Sequence, residues 1–280
     1  MRTVSTEQIQ VAVAAAVVEA NTRLPADVVE ALEGALAREE SPLGRQALAI
    51  LVENARIARC EGLALCQDTG MVSVHLALGQ EVHLTGRPLQ EAIDAGVAQG
   101  YRQGYLRASV VRHPLVRENT GDNTPALVHC EVVPGDRLSL TVMPKGAGSE
   151  NMGRVAMLTP SQGREAVERF VVETVAAAGG NPCPPVIVGV GLGGNMEVAA
   201  LLAKRALLRP LTQPNPDALL GEMEAVLLER VNDLGIGPLG MGGRTTALGV
   251  HIEACPTHIA SLPVAVALGC HASRRVVVEL

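Results

Sequence analysis

Aromatic residues are almost missing from this 280-residue chain, which has one Phe, two Tyr and no Trp. Single-stranded nucleic acid therefore finds no platform on which to stack, and the core has to be built from Val, Leu, Ile and Ala. Concentrated positive charge is missing as well. The net charge is −6, no run of Lys or Arg stands out, and lysine occurs only at Lys145 and Lys204. Nothing in the chain gives a general attraction for a phosphate backbone. No apolar run reaches the roughly 18 residues needed to span a bilayer. The opening Met1-Arg2-Thr3-Val4-Ser5-Thr6-Glu7 lacks the basic start and unbroken apolar stretch of a secretory signal. These absences leave small-molecule chemistry in a cytoplasmic protein as the expectation.

Apolar material is ample, at 48% hydrophobic against 19% charged residues, so the chain should fold around a packed core. Ser5 can cap a first helix, Pro25-Ala26-Asp27 opens a second and Ser41-Pro42-Leu43 a third. Met71 to Leu76 alternates like a strand, and Arg87 to Gly104 is helical after Pro88. Ala126 to Val133 and Arg137 to Met143, joined by Pro134-Gly135-Asp136, read as a hairpin. Gly163 to Ala178, Met196 to Leu208 and Pro216 to Asn232 read as helices. Pro185 to Val190, Thr245 to Glu253 and Leu262 to Leu268 read as strands. Helices and strands mix without strict βαβ alternation, and no internal repeat is visible. The expected class is α+β (mixed α/β): N-terminal helices, then a mixed, partly antiparallel sheet flanked by helices.

Six cysteines, at positions 60, 66, 130, 183, 255 and 270, are expected to stay reduced in the cytoplasm, which favours metal binding or catalysis over disulfides. Three of them lie in turn-like surroundings: Cys66-Gln67-Asp68-Thr69-Gly70, Asn181-Pro182-Cys183-Pro184-Pro185 and Gly269-Cys270-His271. Such loops leave backbone N–H groups free, and hydrogen bonds to sulfur tune thiolate-bound clusters. No CxxC pair occurs, so spacing alone favours merely buried thiols over a shared metal site. Cys130, in an apolar run, has the surroundings of a core residue.

The Cys66-Gln67-Asp68-Thr69-Gly70 segment resembles the class I (iron–sulfur) fumarate hydratase and L-tartrate dehydratase family. The likeness continues, in family order, through Asn119-Thr120-Gly121, Lys145-Gly146-Ala147-Gly148-Ser149, the Cys183 segment, Leu234-Gly235-Ile236-Gly237-Pro238 and Gly249-Val250-His251-Ile252-Glu253. The resemblance implies a single domain over residues 1–280, helical in 1–60 and carrying the cluster and substrate sites in 61–280. It implies a [4Fe–4S] cluster on three cysteines with one open iron, and the matching positions are Cys66, Cys183 and Cys270. Family contacts with a C4 dicarboxylate fall on Gln67, Asp68, Arg107 and the Gly146–Gly148 turn, with Asp68 and His258 as catalytic candidates. Without the resemblance, Arg107 reads as a solvated surface arginine and His258 as a structural histidine. Matched as such, Arg107 can grip a carboxylate at two points, and glycine amides can donate to an anion.

The implied reaction is reversible hydration of fumarate to (S)-malate. A base on a separate β subunit removes the proton, and the expected assembly is α2β2. The chain ends ten residues after Cys270, and this early ending supports a β subunit that supplies the remaining contacts. L-tartrate dehydration to oxaloacetate is the rival substrate pairing, and an iron or redox sensor is the rival class. The Lys145-Gly146-Ala147-Gly148-Ser149-Glu150-Asn151 turn favours fumarate.

Two glycine-rich segments invite other readings. Gly189-Val190-Gly191-Leu192-Gly193-Gly194 holds the G-x-G-x-x-G pattern after an apolar strand. The following helix runs into Arg209-Pro210 and a proline-rich turn, which argues against a dinucleotide. The glycines are expected to bring the backbone close to the cluster or the Cys183 loop. Gly240-Met241-Gly242-Gly243-Arg244-Thr245-Thr246 could form an anion nest, with Arg244 as a further carboxylate contact. A flexible turn entering a strand is the plainer expectation.

Overall fold

In the computed structural model, which describes residues 2–280, helix formation begins where the caps predict. The Ser5 side chain accepts from the Gln8 amide at 3.3 Å and the Gln8 side chain accepts from the Ser5 amide at 3.0 Å. This reciprocal pair satisfies two amides that the first turn would otherwise leave open. Strand β1 (Arg2–Ser5) leads into helix α1 (Thr6–Thr22), followed by α2 (Ala26–Arg38) and α3 (Pro42–Glu61). Next come β2 (Met71–Gly79), β3 (Val82–Thr85), α4 (Leu89–Gln103), β4 (Leu127–Val133), β5 (Leu138–Lys145) and the single turn α5 (Ala147–Glu150). The remainder is β6 (Arg154–Leu158), α6 (Gly163–Ala178), β7 (Val186–Gly194), α7 (Met196–Ala206), α8 (Ala218–Asn232), β8 (Ala247–Thr257), β9 (Leu262–Gly269) and β10 (Val276–Glu279). The mixture is α+β, as the pattern of the sequence predicts. No helix among the described residues is long and apolar enough to cross a membrane.

The chain forms two compact units. The first comprises the segment up to Pro25, Ala55–Ala147 and Arg274–Leu280; the second comprises Ala26–Asn54 and Gly148–Ser273. In the first, α1 packs on β5 and β10 of a sheet of order β10-β5-β2-β4, and α4 packs on α1. Its core is Val, Leu and Ile around a single aromatic, Tyr101. In the second, α6 and α8 cover a sheet of order β6-β9-β7-β8, with Phe170 the one aromatic in a core made mostly of valine. Both cores match the aromatic-poor composition.

The two sheets share one topology, a repetition invisible in the sequence. In each, a central strand (β2 or β7) pairs parallel with one later strand (β4 or β8) and antiparallel with the next (β5 or β9), and a fourth strand adds antiparallel at the outside. Each central strand is entered from a cysteine loop, Cys66 before β2 and Cys183 before β7. The expected hairpin from Ala126 to Met143 is corrected by this arrangement. Its two strands form but do not pair, because β2 lies between them. The Pro134-Gly135-Asp136 link crosses the end of β2, where Gly79 N–H donates to Arg137 O, Gln80 N–H to Val133 O and Glu81 N–H to Gly135 O at 2.8–2.9 Å. Val72, Val74 and Leu76 on β2 are buried, and inserting β2 gives both of its edges a backbone partner.

The glycine pattern of β7 also has a different use from the one expected. A Cβ built on Gly191 would lie 2.0 Å from Ala199 O, and one on Gly189 would lie 2.2 Å from Ala203 O. These glycines let α7 rest directly on the strand.

The Gly240–Thr246 nest does hold an anion, and the anion is the chain's own Glu39. This carboxylate is 1% exposed. It accepts from the amides of Glu40 and Ser41 at 3.1 Å, Arg244 at 3.0 Å and Thr245 at 3.2 Å. Burial works to raise the Glu39 pKa, but the amides of Arg244, Ser41, Thr245 and Glu40 outweigh it and hold the group below its ordinary 4.5. The Arg244 guanidinium turns instead to Glu40 at 2.5 Å. A depressed carboxylate stabilises the fold above its ordinary pKa, and that stability is lost as pH falls through the folded-state value. Glu39→Gln is therefore expected to cost about 2 kcal/mol at neutral pH. In thermal melts the difference from wild type should narrow as the pH is lowered below the ordinary carboxylate value of 4.5 and through the depressed folded-state value.

Candidate functional site

Within the first unit, the sequence-predicted residues Cys66, Gln67, Asp68, Arg107 and Gly146 gather at the turn that leads into β2. Asp68 is the centre of the group. Its Oδ1 accepts from Gly70 N–H at 3.1 Å and its Oδ2 from Ala147 N–H at 2.8 Å. A Cβ on Gly146 would lie 2.8 Å from Asp68 Oδ2, so glycine is what lets the carboxylate close on this second turn. The Asp68 amide donates to Cys66 Sγ at 3.4 Å, the kind of N–H···S bond that orients a sulfur ligand. Gln67 is exposed beside it.

Arg107 is tied to the same turn through its backbone, since Thr69 Oγ1 donates to Arg107 O at 2.7 Å. Its side chain is exposed and makes no ion pair among the described residues, so a carboxylate ligand would meet no competitor for the guanidinium.

Three residues that sequence reasoning missed complete this site. Tyr101 Oη donates toward Thr69 O at 2.7 Å and Gly70 O at 2.8 Å, Asn123 Nδ2 donates to Gly70 O at 3.0 Å, and Arg274 Nη2 donates to Asp68 O at 2.5 Å. Burial pushes the Tyr101 hydroxyl up to about 12, against the opposing pull of Arg274, so it remains a donor at any working pH. No local signal marks these three, because they come from a helix, a loop and the run into β10.

In the second unit, Cys183 and Cys270 stand on adjoining loops. His271, next to Cys270, donates its amide to Cys183 O at 3.2 Å and places Nδ1 3.0 Å from the same oxygen. Cys183 is exposed and has φ +54, a left-handed conformation that its surroundings must hold. Gly148 lies near the same loop, 3.4 Å from Asn181 O measured from a built Cβ.

His258 is not part of this group. It sits on the exposed 258–261 arch between β8 and β9, beside Ile259, which is 91% exposed. Its Nδ1 accepts from Ala260 N–H at 3.2 Å. Cys270 follows the other end of β9, whose eight residues span roughly 26 Å. Cys183 lies at the Cys270 end, since Ile187 pairs with Gly269.

None of the six cysteines is in a disulfide. Cys130 is corrected from core residue to exposed residue, because it lies on the outer strand β4, whose residues are mostly exposed on both faces. Among the described residues, no group of three or more His, Cys, Asp or Glu side chains is assembled to hold a metal ion. The donor chemistry of the three loop cysteines nevertheless fits an iron–sulfur group, with an amide already aimed at the Cys66 sulfur and two reduced thiols on adjoining loops.

A reduced cysteine turn whose aspartate closes on a glycine turn, over nearly a full-length family match, defines the class. The chain belongs to the fumarate hydratase (Fumerase) family, whose model matches residues 10–279, and this is a family of hydro-lyases. Among its relatives is a Methanocaldococcus jannaschii protein named "Putative L(+)-tartrate dehydratase subunit alpha", 43% identical over 265 residues, covering 92% of this chain and 93% of the relative. The L(+)-tartrate dehydratase subunit alpha of Escherichia coli strain K12 is 34% identical over 258 residues, covering 91% and 85% respectively.

Proposed function

We propose that this chain is the alpha subunit of a cytoplasmic iron–sulfur hydro-lyase that, together with a β subunit, reversibly hydrates fumarate to (S)-malate. Cys66, Cys183 and Cys270 are the proposed ligands of a [4Fe–4S] cluster. When bound, the cluster would supply an iron with an open position, a Lewis acid for a substrate carboxylate and hydroxyl. Arg107 holds a carboxylate of the C4 dicarboxylate in a two-point fork, and Gln67 and the Gly146–Gly148 backbone donate to the remaining oxygens. Asp68 orients the substrate and exchanges a proton with it, and a base on the partner takes the carbon-bound proton.

The observation that carries this reading is the Asp68 carboxylate, held between the Cys66 turn and the Gly146–Ala147 turn. The "subunit alpha" in both relatives' names supports a β partner, in an α2β2 assembly. Those names also favour a second reading, L-tartrate as substrate. The deciding experiment co-expresses the chain with a β subunit, rebuilds the cluster without oxygen, and follows fumarate and L-tartrate separately. Turnover of neither, in protein carrying a complete cluster, would sink the hydro-lyase reading.

The family resemblance gives His258 a part in proton transfer, although it stands at the far end of β9 from Cys270. His258→Gln is expected to lower kcat by about 100-fold, and an unchanged kcat would leave it a residue of the arch.

A further inference from the structure

The backbone of the Cys66–Gly70 turn is held by three buried donors from three separate stretches of the first unit. Arg274, Tyr101 and Asn123 are 5%, 3% and 0% exposed. Between them they draw the consecutive carbonyls of Asp68, Thr69 and Gly70 toward the interior. In a trans peptide the N–H points opposite the carbonyl. The plane that presents Thr69 O to Tyr101 therefore turns Gly70 N–H the other way, and that N–H is the donor to Asp68 Oδ1 at 3.1 Å. Arg274 acts on both sides of the same carboxylate. Nη2 holds Asp68 O, while Nε donates at 3.3 Å to Pro144 O, on the strand that delivers Ala147 N–H to Asp68 Oδ2.

Packing needs alone do not account for this arrangement. Around it the core is Val, Leu, Ile and Ala. Burying a guanidinium there is costly, all the more because Arg274 Nη1 finds no hydrogen-bond partner in the protein. One of only two tyrosines in the chain lies here too. Buried polar networks that meet on one turn specify its geometry, where apolar packing would only hold its volume.

We propose that Tyr101, Asn123 and Arg274 are positioning residues, which set the direction of the Asp68 carboxylate and the place of the Cys66 sulfur without touching substrate. The inference rests on the hydro-lyase reading for its use and on the hydrogen bonds alone for its geometry, so the two parts are tested separately.

Tyr101→Phe removes one oxygen and keeps the ring; Arg274→Lys keeps the charge and loses the two-sided grip. In the full, cluster-free chain, amide hydrogen exchange is expected to quicken about tenfold in peptides covering residues 66–70 and 146–147, while the core amides of β2 and β5 keep wild-type rates. In the rebuilt enzyme with its partner, kcat is expected to fall at least about tenfold with KM within about twofold, as for a displaced reacting group. Wild-type exchange at both turns, or a rise spread evenly over the unit, overturns the positioning claim. So does an unchanged kcat in a variant whose turn has loosened. Wild-type protein inactive on both dicarboxylates refutes the hydro-lyase reading before any variant is compared, and exchange then decides the geometry by itself.

Discussion

Replacing Cys66, Cys183 or Cys270 by serine is expected to abolish the visible absorbance of the reconstituted cluster and all measurable turnover, whereas serine at Cys60, Cys130 or Cys255 should leave both near wild type. The effect is large because a serine hydroxyl is not ionised at neutral pH and replaces a soft thiolate with a hard oxygen. The six positions also differ in surroundings. Cys66 has an amide aimed at its sulfur, and Cys183 and Cys270 lie on loops joined through His271. Cys60 is on the exposed surface of α3, Cys130 is exposed on the outer strand β4, and the Cys255 sulfur lies against the Gly193–Gly194 bend. Iron content, absorbance and circular dichroism measured together separate loss of the cluster from loss of the fold. Cluster loss on replacing Cys60, Cys130 or Cys255, with retention in the other three, would reverse the assignment.

Asp68→Asn is expected to lower kcat by at least about 100-fold while KM changes only a few-fold. The substitution keeps size and removes charge. The carboxylate accepts from Gly70 N–H and Ala147 N–H on its two oxygens. An amide must present its NH₂ to one of those donors, at a stability cost of about 1–3 kcal/mol. Melting temperature measured beside the kinetics separates that structural cost from the chemical one. A kcat within about threefold of wild type, with a lowered melting temperature, would make Asp68 a clamp for the glycine turn and nothing more.

Most of the secondary structure was legible in the sequence because its signals are local. Ser5 with Gln8, Pro42 at the head of α3, and Gly179 after α6 each act within a few residues, and the helices they bound lie where the pattern places them. The short strands β1, β3, β6 and β10 escaped because four or five residues hold too little alternation to stand out. Pairing was less legible still. The run from Ala126 to Met143 has the alternation and turn residues of a hairpin, and the same pattern serves a link that steps over β2.

The glycine-rich segments show the same limit from another side. Sequence showed where backbone would come close or donate amides, and left open to what. The occupant beside Gly189 and Gly191 is α7, and the anion in the nest before β8 is Glu39, which lies about 200 residues earlier in the chain.

What the sequence determined by itself about Cys66, Cys183 and Cys270 was the chemistry on offer: reduced thiols in loops, an aspartate beside the first and glycine amides to meet an anion. Residue type and immediate neighbours decide those properties. Tertiary structure decided which amides hold Asp68, that Cys183 and Cys270 share a hydrogen-bonded junction, that His258 stands at the far end of β9, and that Tyr101, Asn123 and Arg274 brace the turn. Those facts depend on which strands become neighbours. That choice is made by burying apolar faces from distant parts of the chain, and no short stretch of residues encodes it.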